Sequence, residues 1–537
     1  MGLFNFLKNR QKTINKEKLN VVGGKLAIEW VKETNTIPLV YNQYLNYYMY
    51  KGDLDYLGWY LTKGVYDLGL QVIMTQQARI NYNDYFWRGS YLESGIKRTH
   101  SGTPKLIVDT LVNCLGIYQV KDIKNEEENK IKTDRLNKIL KENNFKATFK
   151  KQNTMDLVIG DGAYIINVEK GADMPYIEYI DGRDCTFEYK GDRVIAVIIN
   201  KNYEYENKLY ECYERRSTVR AQKKVYNEQT GEYEETGQYE THATIEFRLF
   251  CKNGNKSWSE VELNTIPQTE NLKNLEYTNI PFMLAVPCIR KMNAETKRGE
   301  SIYTGCAELF DDLDQALSIE SNTYRASVPV EYIDSNLIEK DDKGNPIMPS
   351  CYGKQYITYK GANSYDAEPK EVHTQFYNID WTKLTNEAHE LILRICAVCG
   401  VAPASLGYET SKKDNAEAQR EKEKATLQTL KDIQTYETEI LTSLFTKVLA
   451  VDDLIVDPDA KPSETNIQVM FSDYGTPTRS ERIKDFMDAY LKGGMSLDRY
   501  IQEVYFDESK EAQEKEKQAL LESRQTDKFN FNFTEEQ

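Results

Sequence analysis

Histidine is scarce in this sequence, with four residues among 537. Since histidine is the side chain best suited to proton transfer near neutral pH, little material is left for general acid–base catalysis. No run of about 18 apolar residues occurs, so no segment qualifies as a membrane-spanning helix. The apolar part of the N-terminal MGLFNFLKNRQK is too short for a signal peptide and lacks a small-residue cleavage site. We therefore expect a protein of the cytoplasm without a membrane partner.

Positive charge is also in deficit, because 69 Lys and Arg stand against 84 Asp and Glu, a net charge of -15. Proteins that hold nucleic acid by neutralising its phosphates present basic faces, and this composition disfavours such a role. It remains compatible with a protein past which nucleic acid must move without sticking. The hydrophobic fraction of 40% predicts a globular protein with a real core, and the length predicts about three structural units.

The nine cysteines are irregularly spaced, and two of them, Cys396 and Cys399, form a CxxC pair. A structural zinc site needs four ligands, but the nearest histidine is His389 and no second CxxC exists. A redox CxxC should open a helix after a strand, whereas this pair ends a predicted helix. We expect reduced thiols that pack as small apolar side chains. The alternative, a CxxC-dependent metalloprotein or nuclease, would be revealed by metal analysis.

Other motifs of catalysis and nucleotide binding are missing. HELIL at 389–393 begins like the zinc-protease motif HExxH, but Leu393 stands where the second histidine ligand is required. No P-loop, GxSxG elbow or EF-hand loop is found. The carboxylates of IGDG (159–162) and DDLD (311–314) are of a kind common in turns and on helix surfaces. We predict that the chain is not an enzyme and uses no cofactor and no metal.

The periodicity changes along the chain. The first 150 residues are mostly helical by pattern, as in the amphipathic 102–117, and 153–290 reads as short strands separated by Gly-containing turns. Within that region 216–242 is predicted to be an exposed polar hairpin. MDLVIGDGAYIINVEKG, which starts at Met155, is assigned to the strands.

Two segments carry apolar residues at alternating spacings of four and three, which predicts helices with a heptad-like seam over 299–327 and 376–400. Between them, 328–375 contains Gly and Pro residues that exclude a helix interior and predict short strands. A long helix is predicted from Asp414 to Leu449, polar in its first half and apolar in its second.

Several stretches together resemble a known family. In chain order they are YYMYKGD (47–53), SGTPKLIVDTLVNCLG (101–116), GESIYTGCAELFDDLDQALSIESNTY (299–324), VAPASLGYETSKKDNAEAQREKEKATL (401–427) and FSDYGTPTRSERIKDFMDAYLKGGMSLDRYIQEVYF (471–506). Their order and spacing resemble the portal protein of tailed double-stranded DNA bacteriophages, of the siphovirus type. The resemblance runs over nearly the whole chain, and no single motif carries it alone.

The resemblance implies an α+β portal fold in which long helices assemble as a ring. It divides the chain into an N-terminal arm (1–19), a wing (20–298), a first stem helix (299–327), a clip (328–375), a second stem helix (376–400), a tunnel loop (401–413), a tunnel helix (414–450), a wing return segment (451–476) and a crown (477–537).

The implied function is structural. A ring, commonly of twelve subunits, would sit at one capsid vertex of the virion, where the terminase large subunit packages double-stranded DNA through it and DNA is later ejected. Further implied partners are the major capsid and scaffolding proteins and the head–tail connector or adaptor, with assembly in the host cytoplasm. The alternative is another ring-forming head–tail connector or a minor capsid structural protein.

Two groups of residues are predicted to make contacts. In the tunnel loop, small residues and two lysines would lie near DNA; they are Ala404, Ser405, Leu406, Gly407, Lys412 and Lys413. An equally good explanation for the lysines is local charge balance against Asp414 and Glu417. In the clip, the residues predicted to contact partners are Asp341, Asp342, Lys343 and Asn345.

Overall fold

The computed structural model describes the chain in part. The described residues are 19–21, 24–26, 43–61, 85–92, 96–116, 118–122, 126–168, 171–227, 232–252, 258–278, 280–294, 296–327, 329–334, 338, 340–344, 347, 355–359, 373–375, 380–408, 416–457, 467–471, 483, 486–487, 489–505 and 512–521. The predicted arm, apart from Leu19, and the lysines at 412 and 413 lie outside these residues, as do Asn345 and the last sixteen residues.

The described fold mixes helices and strands. The helices are α1 (43–51), α2 (Leu54–Trp59), α3 (Phe86–Leu92), α4 (Thr103–Cys114), α5 (Glu126–Glu142), α6 (Phe145–Ile159), α7 (Ala307–Ala326), α8 (Trp381–Cys399), α9 (Ala416–Val456), α10 (Leu497–Val504) and α11 (512–521). The strands are β1 (Leu19–Val21), β2 (Gly24–Leu26), β3 (Tyr118–Asp122), β4 (Asp161–Asn167), β5 (Tyr176–Asp181), β6 (Cys185–Lys190), β7 (Arg193–Tyr205), β8 (Lys208–Asn227), β9 (Glu232–Lys252), β10 (Trp258–Val261), β11 (Leu275–Tyr277), β12 (Ala285–Ile289), β13 (Val330–Asp334), β14 (Gln355–Tyr359), β15 (His373–Gln375) and β16 (Ile467–Phe471).

The strands form separate small sheets. The largest runs β10-β9-β8-β7-β6, with β11 paired to β9, and three-stranded sheets run β12-β4-β5 and β14-β13-β15. Two-stranded sheets pair β1 with β2 and β16 with β3. Of the helices in the described part of the chain, none has the length and apolar character needed to span a bilayer.

The chain divides into two compact units, Met1–Leu115 with Gln119–Met470, and Gly116–Tyr118 with Phe471–Gln537. In the second unit, α10 presents a strongly amphipathic face. Its Tyr500, Ile501 and Val504 are buried against half-buried apolar residues of 483–497 and Leu520.

The core of the first unit lies on both faces of β4, which explains why its first six residues are all buried. On one face, Ala163 and Ile165 join a cluster with Phe187 of β6 and Val197 of β7. On the other face, Tyr164 lies 5.7 Å from Phe145 of α6, ring centre to ring centre. Alternating side chains of one strand thus join the largest sheet to the helices.

The long helix α9 adds to the core on the side of β4 where Tyr164 meets α6. Its last half is buried through the apolar residues that the sequence places there, namely Ile440, Leu441, Leu444, Phe445, Val448 and Leu449. Phe445 packs edge-on against Phe145 of α6 at 5.5 Å. At 41 residues, α9 is roughly 60 Å long.

The predicted hairpin 216–242 exists as part of the β8–β9 pair, but the expectation that it is exposed is wrong at its start. Arg216 is buried and donates to the carbonyls of Ile166 at 2.7 Å and Leu284 at 2.9 Å. Its Nε donates to Glu214 at 2.6 Å. The guanidinium is tolerated because it satisfies carbonyl oxygens at the junction of two sheets.

Three predicted boundaries are wrong. Residues 155–159 belong to the end of α6 and not to a strand, since a short apolar run fits either structure. The helix predicted from 299 begins at Ala307, because 302–306 form turns and Gly305 has the left-handed conformation (φ 82°). The helix predicted to end at 449 continues to Val456.

Candidate functional site

The predicted tunnel loop begins as a fixed turn between α8 and α9. Gly400 ends α8 in the left-handed conformation (φ 66°), which glycine adopts without strain. A 3-10 helix, Pro403–Leu406, follows at once, and Gly407 (φ 79°) ends it. We call residues 400–408 the α8–α9 turn.

Two threonines of α9 hold this turn in place. Thr426 Oγ1 accepts from the backbone N–H of Ala402 at 2.8 Å and lies 2.8 Å from Ser405 Oγ. Thr429 Oγ1 donates to the Gly400 carbonyl at 2.6 Å. Since Thr426 is fully buried, these bonds are shielded from water and fix the turn on the helix.

The four tunnel-loop residues at 404–407 therefore lie in one turn. Leu406 is buried, Ala404 and Ser405 are half-buried, and Gly407 is exposed. The structure brings these residues together, while their contact with DNA remains a prediction. Residues 409–415, which include both predicted lysines, lie outside the described part of the chain.

The predicted clip residues occupy a different turn, in the segment between α7 and α8. Asp341 Oδ1 accepts from the N–H of Lys343 at 3.0 Å, and its carbonyl accepts from Gly344 at 2.8 Å. Asp341, Asp342 and Lys343 are all exposed. In the adjoining sheet β13 pairs parallel with β14 and antiparallel with β15.

Two acidic residues of DDLD, Asp311 and Asp314, make buried structural contacts. Asp314 of α7 is completely buried and accepts from Trp87 Nε1 at 2.9 Å and from the N–H of Ser101 at 2.8 Å, and its Oδ2 lies 2.7 Å from His100 Nδ1. Asp311 accepts from the N–H groups at the start of α3, and burial raises the pKa of its carboxyl to about 7. These bonds fasten α7 to the helical first part of the chain.

A second buried cluster joins α6 to α9. Gln152 Nε2 lies 2.5 Å from Asp156 Oδ2 and 2.8 Å from Glu437 Oε1, so two carboxyl groups share one amide. Burial raises the pKa of Glu437 to about 7, and burial with the nearby Glu437 raises the pKa of Asp156 well above its usual range. Tyr179 donates to the other oxygen of Asp156. No local sequence pattern reveals this cluster, because Glu437 lies 285 residues beyond Gln152.

One cysteine of the CxxC pair contacts a thiol from a distant part of the chain. Cys399, the last residue of α8, places its Sγ 3.5 Å from Sγ of Cys306, the residue that precedes α7, and all three thiols are buried. Within the described residues, no group of three or more His, Cys, Asp or Glu side chains is placed to hold a metal ion. Nothing in the sequence pattern pairs Cys306 with Cys399.

Comparison with known proteins gives matches among solved structures. No protein-family model and no curated protein matches the chain. A chain from the virion of a native gene transfer agent (GTA) particle shares 11% identity with a TM-score of 0.38, over 73% of this chain and 87% of that one. A neck chain of the empty GTA particle, computed with C6 symmetry, shares 9% identity with a TM-score of 0.39, over 74% and 87%. A neck chain of the native GTA particle, computed with C12 symmetry, shares 9% identity with a TM-score of 0.37, over 75% and 89%. At these values the likeness assigns neither a fold nor a role to this chain.

Proposed function

We propose that this chain is a portal-type subunit, a non-catalytic structural protein that forms a ring through which double-stranded DNA enters and leaves a phage-like shell. The observation that carries the proposal is the order of elements from α7 to α9. A helix, a small sheet, a second helix, a fixed turn and a 41-residue helix follow one another as the sequence resemblance requires.

The surface of α7 and α8 supports assembly with further copies. Tyr324 and Ile319 of α7 are exposed, as are Val398 and Trp381 of α8. Much of α8 is exposed although its pattern is that of a packed helix. In a ring, each such hairpin would lie between those of two neighbours, which would remove these apolar side chains from water.

The net charge supports a protein past which DNA moves, and not one that binds DNA tightly. At -15 per chain, a ring carries a large negative charge, which repels phosphate and keeps contacts with DNA brief. In this proposal the small α8–α9 turn and the lysines at 412 and 413 provide the local contacts. A Lys412→Ala/Lys413→Ala variant should then lower packaging yield or genome retention, and unchanged values would remove the lysine contact from the proposal.

The number of copies of this chain in shells with and without DNA tests whether DNA enters through it. A protein through which DNA enters must be present before the DNA, whereas a connector that seals a filled shell need not be. We expect equal amounts of this chain in empty and filled particles separated on a density gradient. Its absence from empty particles would favour the connector alternative.

A further inference from the structure

Helices α7 and α8 form a helical hairpin, and two thiols meet at its base, where α7 begins and α8 ends. The CxxC motif does not indicate this pair. Cys306 precedes the first residue of α7, and Cys399 is the last residue of α8, so the two lie 93 residues apart in the chain. Their sulfur atoms are 3.5 Å apart. A disulfide bond needs about 2.05 Å, so the sulfurs need to approach by about 1.5 Å.

We propose that Cys306 and Cys399 are a modification site, a thiol pair that a hydroperoxide oxidises to a disulfide linking the start of α7 to the end of α8. The bond would close the hairpin at its base, beside the α8–α9 turn that Gly400 begins. Such a pair stays reduced in a reducing compartment and closes in an oxidising one. Because it lies within one chain, this proposal stands apart from ring assembly and DNA passage.

The two thiols have different roles in the reaction. Their hydrogen bond lowers the pKa of Cys306 and raises the pKa of Cys399, so Cys306 ionises first. The backbone N–H groups at the start of α7 also favour a negative charge near Cys306. Cys306 is therefore the nucleophile, and Cys399 is the thiol that resolves the intermediate.

The chemistry balances with hydrogen peroxide as oxidant. The Cys306 thiolate attacks one peroxide oxygen and the O–O bond breaks, so Cys306 becomes a sulfenic acid. The other oxygen leaves as hydroxide, which takes up the proton lost by the thiol and gives one water. Cys399 then attacks the Cys306 sulfur, the S–O bond breaks, and a second water leaves as the disulfide forms. The pair loses two electrons and two hydrogens, and the peroxide is reduced to water.

The third thiol is a competitor that the structure disfavours. Cys396 precedes Cys399 by three residues on α8 and is also buried. Burial raises the pKa of Cys396 to about 11, and the short sulfur–sulfur contact of Cys399 is with Cys306. The sequence motif would link Cys396 to Cys399, whereas the geometry links Cys399 to Cys306, and one experiment distinguishes the two.

The experiment uses the full chain. The protein is reduced, freed of reductant, treated with hydrogen peroxide, denatured in N-ethylmaleimide and digested. We expect mass spectrometry to find a Cys306–Cys399 linked peptide that dithiothreitol separates. Cys288 is the internal reference, because it is as completely buried as Cys306 but bonds to a backbone carbonyl. We expect Cys306 to be oxidised at least about tenfold faster than Cys288.

Two variants sharpen the assignment, each checked for native circular dichroism. Cys396→Ser should form the Cys306–Cys399 link as the unchanged protein does. Cys399→Ser should leave Cys306 as a sulfenic acid that dimedone traps. A Cys396–Cys399 link in the unchanged protein would overturn the proposal, and so would oxidation of Cys306 no faster than that of Cys288. Because the unchanged protein gives a decisive answer, the test does not depend on the variants folding.

Discussion

Arg298 and Asp161 form a buried ion pair through two hydrogen bonds, from Nε to Oδ2 at 2.5 Å and from Nη2 to Oδ1 at 2.7 Å. Asp161 also accepts from the N–H of Gly299 at 3.0 Å, and Arg298 donates to the Gly182 carbonyl at 2.8 Å. The pair joins the segment before α7 to the start of β4. The position of α7 therefore depends on it.

Removing one partner of this pair should be costly. Asp161→Asn leaves the Arg298 guanidinium buried without a counter-charge, and we expect a loss of about 3 to 5 kcal/mol in the free energy of unfolding. Urea unfolding followed by tryptophan fluorescence measures it. The matched control is Asp192→Asn, which breaks the more exposed pair with Lys297 and should cost less than about 1 kcal/mol. Equal losses in the two variants would contradict the role given to Asp161.

Close backbone approach should make Gly299 intolerant of substitution. A Cβ at Gly299 would lie 1.8 Å from the Gly160 carbonyl oxygen, so Gly299→Ala must push two chain segments apart. We expect a large fall in melting temperature or failure to fold. Gly89→Ala in α3 is the control, since nothing lies within 4 Å of its Cβ and alanine favours helix by about 0.5 to 1 kcal/mol. A Gly299→Ala protein as stable as the control would show that the contact is not tight.

Stability should depend on pH through the carboxyl pair at Gln152. The pKa values of Asp156 and Glu437 are raised in the folded protein, so it binds more protons than the unfolded chain does above about pH 4. The contribution of this pair to stability is therefore complete at low pH and is lost as the pH rises through about 7.

Glu437→Gln isolates this effect because glutamine keeps the shape and does not titrate. We expect the variant to gain stability relative to the unchanged protein as the pH rises from 5 to 8. Glu439→Gln, an exposed position two residues further along α9, is the control and should differ by a constant amount. Parallel pH profiles for the unchanged protein and Glu437→Gln would contradict the raised pKa of Glu437 in the folded protein.

The α8–α9 turn should loosen when its anchor on α9 is lost. Thr426→Val keeps the side-chain shape but leaves the Ala402 N–H without its acceptor, at a cost of about 1 to 3 kcal/mol. We expect faster hydrogen–deuterium exchange at 401–408. Thr435→Val, at an exposed position of the same helix, should leave that exchange unchanged. If the two variants exchange alike, the turn is not held by Thr426.

Periodic elements could be predicted from the sequence, and long-range pairs could not. The amphipathic patterns of α4, α8 and the last half of α9 predict the helices that the structure contains, since each pattern is local. The prediction for the start of α7 is wrong because Ile302 and Cys306 keep the helical spacing, although 302–306 form turns.

The buried polar contacts lie beyond any local pattern. Asp161 and Arg298 are 137 residues apart, and Gln152 and Glu437 are 285 apart, so neither pair leaves a sequence signal. The same holds for Cys306 and Cys399, because the CxxC motif suggests Cys396 as the partner of Cys399. For the candidate site, the resemblance implies a loop over 401–413, and the fold adds the threonines that fix its first half.

The central claim is that this chain forms a ring, and the mass of the purified protein tests it most directly. Native mass spectrometry or light scattering on the full chain should give a closed assembly of about 750 kDa, twelve copies of a 62.3 kDa chain, or a nearby closed number. A species that stays at the mass of one chain at micromolar concentration would contradict the claim.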